Sequence, residues 1–351
     1  MRSIRKIGIV GAGTVGGGIA MSIANAGIPV TLLDMTPEVV QRGLSLVRKN
    51  YESMVSKGKL SPTQFEQRMA LILGSTDYLA LADCDLVSEA AFEDLEVKKA
   101  ISKRLGEVCK RGAIIASNTS TLDIDVLAIA SGRPANMIGM QFFSPAHVMK
   151  LLEVVRGRDT SMQVLATAMA FAKKIGKSAV VSGVCYGFIG NRMLEGYLRE
   201  AEFLLMEGAT PAQIDAAIES TGMAMGLCRM IDMAGADVAA KVVLEQKKIN
   251  ALPDDSAYRA LVRELYERQR FGQKKLAGYY RYEGRTARAD IEVETICIQI
   301  AEQHGIQRRA QISDEEIIER CLYPLINEGA RILEDGIAYR AGDIDVVWVQ
   351  G

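Results

Sequence analysis

Residues 6–34 read KIGIVGAGTVGGGIAMSIANAGIPVTLLD, and the fold turns on them. Lys6–Val10 is short, apolar and β-branched and stops at glycine, which predicts a buried strand. Val15, Ile19 and Ile23 then recur at helical spacing until Gly27 ends the helix. Residues 29–34, PVTLLD, read as a second strand closing on an acid. Gly11, Gly13 and Gly16 fill the positions of a GxGxxG turn, which needs a tight bend, a backbone close to a pyrophosphate, and a helix packed near its strand. Thr14 and Val15 open that helix, whose unpaired N–H groups and dipole favour phosphate. Asp34 lies 18 residues beyond Gly16, where a carboxylate accepts ribose hydroxyls and repels an added phosphate. No arginine immediately follows it, so the expected nucleotide is NAD.

The chain has 351 residues, which suggests two or three domains. Apolar residues at 49% and charged residues at 24% exclude a disordered chain. Against 43 acidic side chains stand 42 basic ones, so no net field favours nucleic acid. Tyr279, Tyr280 and Tyr282 among basic residues are therefore read as packed on helices. No apolar run approaches the ~20 residues of a membrane span. The six cysteines form no CxxC pair, and the two histidines make a His/Cys zinc site an unsuitable reading. A strand starting almost at the first residue leaves no room for a leader, so a cytoplasmic location is expected.

Residues 36–76 read as charged helices broken at KGKLSP, 57–62, with Lys57 and Lys59 exposed at the break. Further strands are expected at 85–90, 113–117, 137–143, 151–155 and 178–183. The strand at 113–117 runs into SNTSTL, and polar residues past the carboxyl end of a parallel strand face the ligand crevice. Glu153 sits inside the apolar run 151–155, which is costly unless the acid is paired. Downstream, NRMLEGYLREAEFLLMEG at 191–208 returns as ERCLYPLINEGARILEDG at 319–336, and Ile344–Asp345 answers Ile214–Asp215. This is an internal duplication whose second copy is cut short.

Together, GAGTVGGGIA, VSEAAFEDLEVKK, SNTSTL, QFFSPAHVMKLLEV, YGFIGNR and RFGQKKLAGYYRYEGR resemble the 3-hydroxyacyl-CoA dehydrogenase family. The likeness is greatest to the dehydrogenase part of multifunctional β-oxidation enzymes. It implies an α/β protein, with a Rossmann NAD-binding domain over 1–183 and a helical C-terminal domain over 184–282. A linker over 283–310 and a truncated second helical copy over 311–351 follow. It implies oxidation of an L-3-hydroxyacyl-CoA by NAD, with an acyl-CoA thioester as substrate. A hydratase half in a longer parent chain is implied too, as is a dimer or an intramolecular pair of helical copies. Matching motifs assign Ser120 and Asn191 to the substrate oxygens and Glu153 to orienting the base. Glu89 and Asn118 fall on the cofactor side, and Lys57 beside the CoA moiety. The departure is Gln141, which stands where the family carries its catalytic histidine. An amide accepts no proton near neutrality, and a positioned base is worth about 10²–10⁴ in rate. His147, six residues on, is not expected to replace it. The resemblance thus implies either an impaired dehydrogenase or a member that only binds NAD and acyl-CoA.

Overall fold

The computed structural model describes all residues, Met1–Gly351. They form two compact units: Met1–Arg192 with Gly329–Gly351, and Met193–Glu328.

The first unit is built on eight strands: β1 Ile7–Val10, β2 Val30–Leu33, β3 Ile72–Ser75, β4 Leu86–Glu89, β5 Ile114–Ser117, β6 Met137–Phe142, β7 Leu151–Val155 and β8 Ser178–Ser182. Their order is β3-β2-β1-β4-β5-β6-β7-β8. Neighbours from β3 to β6 run parallel, as right-handed strand–helix–strand crossovers require. Helices α1 Thr14–Asn25, α2 Pro37–Ser56, α3 Pro62–Ala70, α4 Leu95–Val108, α5 Ile124–Ser131 and α6 Met162–Lys174 connect them. The central strand β1, IGIV, is buried along its whole length, and its sequence is continuously apolar rather than alternating.

One expectation about this unit needs correction. Residues 72–75, ILGS, fall in the stretch read as helical but pair with β2 as an edge strand. Leu73 and Gly74 face solvent, and this interrupts the apolar run that marks a strand. At the other end, β7 is antiparallel to β6, and β8 runs parallel to β7. An antiparallel turn-back needs only the short 143–150 connection, with no crossover helix. That connection is fastened by Lys177, whose Nζ donates to the carbonyls of Ala146 (2.5 Å) and Met149 (2.7 Å).

Helix α7, Gly190–Glu207, begins in the first unit and continues into the second. There α8 Pro211–Glu219 follows, with Thr210 Oγ1 accepting from the Gln213 N–H as the cap the sequence predicts. Next come α9 Leu227–Ala234, α10 Ala236–Lys248, α11 Ala260–Glu267, strands β9 Arg281–Glu283 and β10 Thr286–Arg288, α12 Ile291–His304 and α13 Asp314–Glu334. The unit is helical as expected, with one short hairpin, β9 paired antiparallel to β10. The expected linker over 283–310 is an ordered hairpin strand and a fourteen-residue helix. Tyr279, Tyr280 and Tyr282 are buried. Asp232 accepts from the Tyr279 and Tyr280 N–H groups and from the Tyr282 hydroxyl, while Asp215 accepts from the Tyr280 hydroxyl. These phenols are committed to the core and present no nucleic-acid surface.

The second copy does not stay in one piece. Its helix α13 crosses the unit boundary, and α14 Ala341–Gln350 packs on β7 and β8 of the first unit. The Gly183 N–H donates to Ile337 O (2.8 Å), and Ala338 bridges Ser182, covering the outer edge of β8. An exposed edge strand invites further pairing, so this segment completes the sheet.

Candidate active site

The nucleotide end of the first unit follows from its glycines. Gly11 has φ +109°, a region open to glycine alone without strain. A Cβ on Gly16 would collide with the Gly11 carbonyl oxygen, so α1 can start this close to β1 only with glycine there. Gly13 and Thr14 are exposed at the helix N-terminus, and Val15 is half-buried behind them. Asp34 Oδ2 accepts from the Ala12 N–H (2.7 Å), and Oδ1 accepts from the Met35 N–H (2.7 Å). The acid that the sequence places at the end of β2 is thus held over the glycine turn with lone pairs to spare for a ribose diol. A free helix N-terminus, a tight glycine bend and an oriented carboxylate are the donor set a dinucleotide needs.

At the opposite side of the sheet, Gln141 on β6 and Glu153 on β7 are direct partners in the antiparallel ladder. Facing residues of such a pair have Cβ atoms about 5 Å apart. Gln141 is 5% and Glu153 0% exposed. Glu153 Oε1 accepts from the N–H groups of Ile189 (3.1 Å) and Gly190 (3.0 Å), at the start of α7. Asn191 is the next residue, half-buried. Glu153 Oε2 and Gln141 Oε1 have no hydrogen-bond partner. Burial pushes the Glu153 carboxyl up to about 7, against the pull of the two backbone donors.

The sign of that shift gives a test. The native state holds this proton more tightly than the unfolded chain, so the neutral form's contribution to stability is complete below about 4.5 and lost as pH rises through about 7. Full ionisation costs about 3 kcal/mol. Glu153→Gln mimics the neutral acid. In urea unfolding followed from about pH 5 to pH 8, its advantage over the parent should grow with pH. A pH-independent difference would remove burial as the cause.

The β5 turn joins this cluster. Asn118 Oδ1 accepts from the Phe142 N–H (2.7 Å), beside Gln141. Ser120 is half-buried, and its N–H donates to Glu93 Oε1 (2.8 Å). The same oxygen accepts from the Thr119 hydroxyl (2.5 Å), the Thr121 N–H (3.2 Å) and the Thr121 hydroxyl (3.1 Å). Glu93 is therefore the acid that organises the turn, and sequence reasoning missed it. The available signal was Asp94, which caps α4 and so leaves Glu93 just outside the helix. Glu89 was expected at the cofactor face, and the structure overturns this. It is 1% exposed, and its oxygens are taken by Lys98, Ser117 and the Ala91 N–H. Lys57 lies exposed at the end of α2, on the β2–β3 side of the sheet and away from the Gln141–Glu153 pair. His147 is half-buried on the connection fastened by Lys177, and burial first, then Lys177, lowers its pKa.

A doubly wound sheet with a glycine turn, a free helix N-terminus and an oriented carboxylate defines a dinucleotide-binding unit. Residues 6–185 match the family described as "3-hydroxyacyl-CoA dehydrogenase, NAD binding domain", and residues 187–282 match "3-hydroxyacyl-CoA dehydrogenase, C-terminal domain". The chain belongs to the 3-hydroxyacyl-CoA dehydrogenase family, and its cofactor is NAD. It is 42% identical over 362 residues to the peroxisomal bifunctional enzyme of Danio rerio, covering 100% of this chain and 50% of that one. It is 36% identical over 354 residues to the glyoxysomal fatty acid beta-oxidation multifunctional protein MFP-a of Brassica napus, covering 100% and 49%. The chain thus spans about half the length of these curated relatives. Among solved structures, 3-hydroxybutyryl-CoA dehydrogenase of Escherichia coli K12 superposes with a TM-score of 0.84 at 27% identity, over 100% of this chain and 89% of that one. Relatives named for peroxisomes and glyoxysomes overturn the cytoplasmic expectation. No helix is long and apolar enough to cross a membrane.

Proposed function

We propose that this chain oxidises an L-3-hydroxyacyl-CoA to the 3-oxoacyl-CoA, slowly, because Gln141 stands in the base position. The pairing of Gln141 with the buried Glu153 carries this reading, since it sets an amide where the family's chemistry needs a proton acceptor. Bound NAD supplies the hydride acceptor. Gly11, Gly13, Thr14, Val15 and Gly16 would seat its phosphates, Asp34 its ribose, and Asn118 its nicotinamide side. Ser120 and Asn191 would hold the substrate oxygens, and Lys57 would meet the CoA moiety. Glu153, clamped by the Ile189 and Gly190 N–H groups, orients whatever stands at position 141. The relatives' names, bifunctional and multifunctional, support a partner activity on a longer polypeptide, for which a hydratase is the expected half.

The test compares 3-hydroxybutyryl-CoA with free 3-hydroxybutyrate while NADH is followed by fluorescence. NADH should form from the thioester alone, and the free acid should not compete. Equal use of both would remove the thioester assignment. Gln141 also favours a second reading, a member that binds NAD and acyl-CoA without turnover. Tight binding with no NADH formation would select it.

A further inference from the structure

The edge of the first unit's sheet opposite the ligand crevice carries a cleft of its own. Strand β5 runs into Asn118 at its carboxyl end, and the parallel β6 carries Gln141 near its own. Their amino ends therefore lie at the far edge, about 13 Å away along the short β5. There Arg111 and Gly112 lead into β5, and Arg133, Pro134 and Ala135 lead into β6. These segments line an open cleft of about 290 Å³, and no Asp or Glu lines it. Arg133 Nη1 donates to Lys110 O (2.9 Å), and Arg2 Nη1 donates to Gly112 O (2.8 Å). The turn they grip is closed by the Ala113 N–H on Lys110 O (3.1 Å) and holds Gly112 at φ +83°. Arg111 is exposed and makes no hydrogen bond or ion pair within the chain.

Charge balance singles this cleft out. Arg2 spends Nε on Gln163 Oε1 (3.2 Å), Arg133 reaches a carbonyl, Arg111 reaches nothing, and none of the three meets a carboxylate. The acids around Lys110 are already spent. Asp85 takes Lys110 and the Arg5 and Lys6 N–H groups, and Asp83 takes Lys6. Three like charges gathered at one cleft repel, and a bound anion turns that repulsion into attraction. A guanidinium is a rigid planar fork that matches phosphate oxygens. Two of the three are already held by the carbonyls they grip, so little side-chain freedom is left to lose on binding. A carboxylate offers two oxygens, whereas a phosphate monoester offers three and a charge of about −1.5 to −2. Three forks suit the phosphate. Pro134 and Ala135 supply apolar surface for the body that carries it.

We propose that this cleft binds the phosphate monoester of a small organic molecule: Arg111, Arg133 and Arg2 take the phosphate, and Pro134 and Ala135 meet the organic body. The site is independent of the glycine turn and of the proposed oxidation. The test titrates ribose 5-phosphate into the full chain with NADH in excess, reading the Kd by calorimetry and the place of contact by amide hydrogen exchange. Exchange should slow at residues 110–113 and 133–136, and affinity should fall as salt rises from about 50 to 200 mM. Arg111→Ala removes a side chain that holds nothing in the fold, so it should weaken binding about tenfold with the unfolding midpoint unchanged. Arg111→Lys keeps the charge without the fork and should fall between the two. Inorganic phosphate, which lacks the body, should bind about tenfold more weakly than the ester. Coenzyme A and dephospho-coenzyme A then distinguish the source. Protection by coenzyme A alone makes its 3′-phosphate an occupant, and protection by neither, beside protection by ribose 5-phosphate, makes the occupant a free sugar phosphate. Equal protection by both would overturn the monoester assignment. No protection at either segment up to about 10 mM ester would overturn the site itself. So would an Arg111→Ala affinity within about twofold of the parent, or inorganic phosphate binding as tightly as the ester. The exchange map locates binding even if NADH leaves the glycine turn empty, so failure of the cofactor reading and failure of this one are told apart.

Discussion

Gln141→His should raise NADH formation from 3-hydroxybutyryl-CoA by about 10²–10⁴. The surroundings are already built for an imidazole. Glu153 faces position 141 across the ladder, one oxygen pinned by the Ile189 and Gly190 N–H groups and the other without a partner. A histidine there can give one ring N–H to Glu153 Oε2, which leaves its second nitrogen unprotonated toward the substrate hydroxyl. The same hydrogen bond favours the ionised carboxylate, so the burial that now lifts Glu153 to about 7 should be partly offset. The rate should climb with pH through a base near its usual value of about 6.5. Initial rates across pH, with NADH affinity measured in parallel, check this. A variant that binds as the parent does, yet gains nothing, would leave the chain as a binder. A gain that persists after Glu153→Ala would show that Glu153 does not orient the base.

Gly16→Ala should reduce NADH affinity about 100-fold or more and lower the stability of the first unit by about 1–3 kcal/mol. The added methyl meets the carbonyl oxygen of Gly11, and behind it the Ile9 side chain at 3.4 Å. Backbone oxygen cannot swing aside as a side-chain tip can, so α1 must retreat from β1. That retreat moves the helix N-terminus away from the phosphates and disturbs the Ala12 N–H that Asp34 holds. Gly342→Ala is the matched control, because a Cβ there meets nothing within 4 Å. Its binding should equal the parent's. Fluorescence titration and thermal unfolding of the three proteins decide the matter, and equal affinities would mean that the glycine turn is not the phosphate seat.

What the sequence disclosed was whatever depends on neighbours along the chain. The strand–turn–helix of residues 6–27 and the cap at Thr210 are local events, and both stand in the structure as read. Glu153 inside LLEVV was legible as an anomaly because an acid in an apolar run is visible without coordinates. Its partners were not, since Ile189 and Gly190 offer only backbone N–H groups, which every sequence has. Glu89 and Glu93 illustrate the same limit. Glu89 closes β4 and Glu93 lies four residues beyond it, and only the path of the chain decides which one faces Lys98 from below and which reaches the turn. The reversal of β7 and β8 was equally hidden, because a strand buried on both faces reads the same in either direction.

The seam along β8 bears on the order in which the molecule is made. Residues 337 and 338 complete an edge whose other partners are all in place by residue 182. A ribosome delivers roughly 5–20 residues each second, so the nascent nucleotide domain waits many seconds with that flank bare before its closing piece emerges. Loop-closure entropy over so long an interval also makes this contact a late arrival.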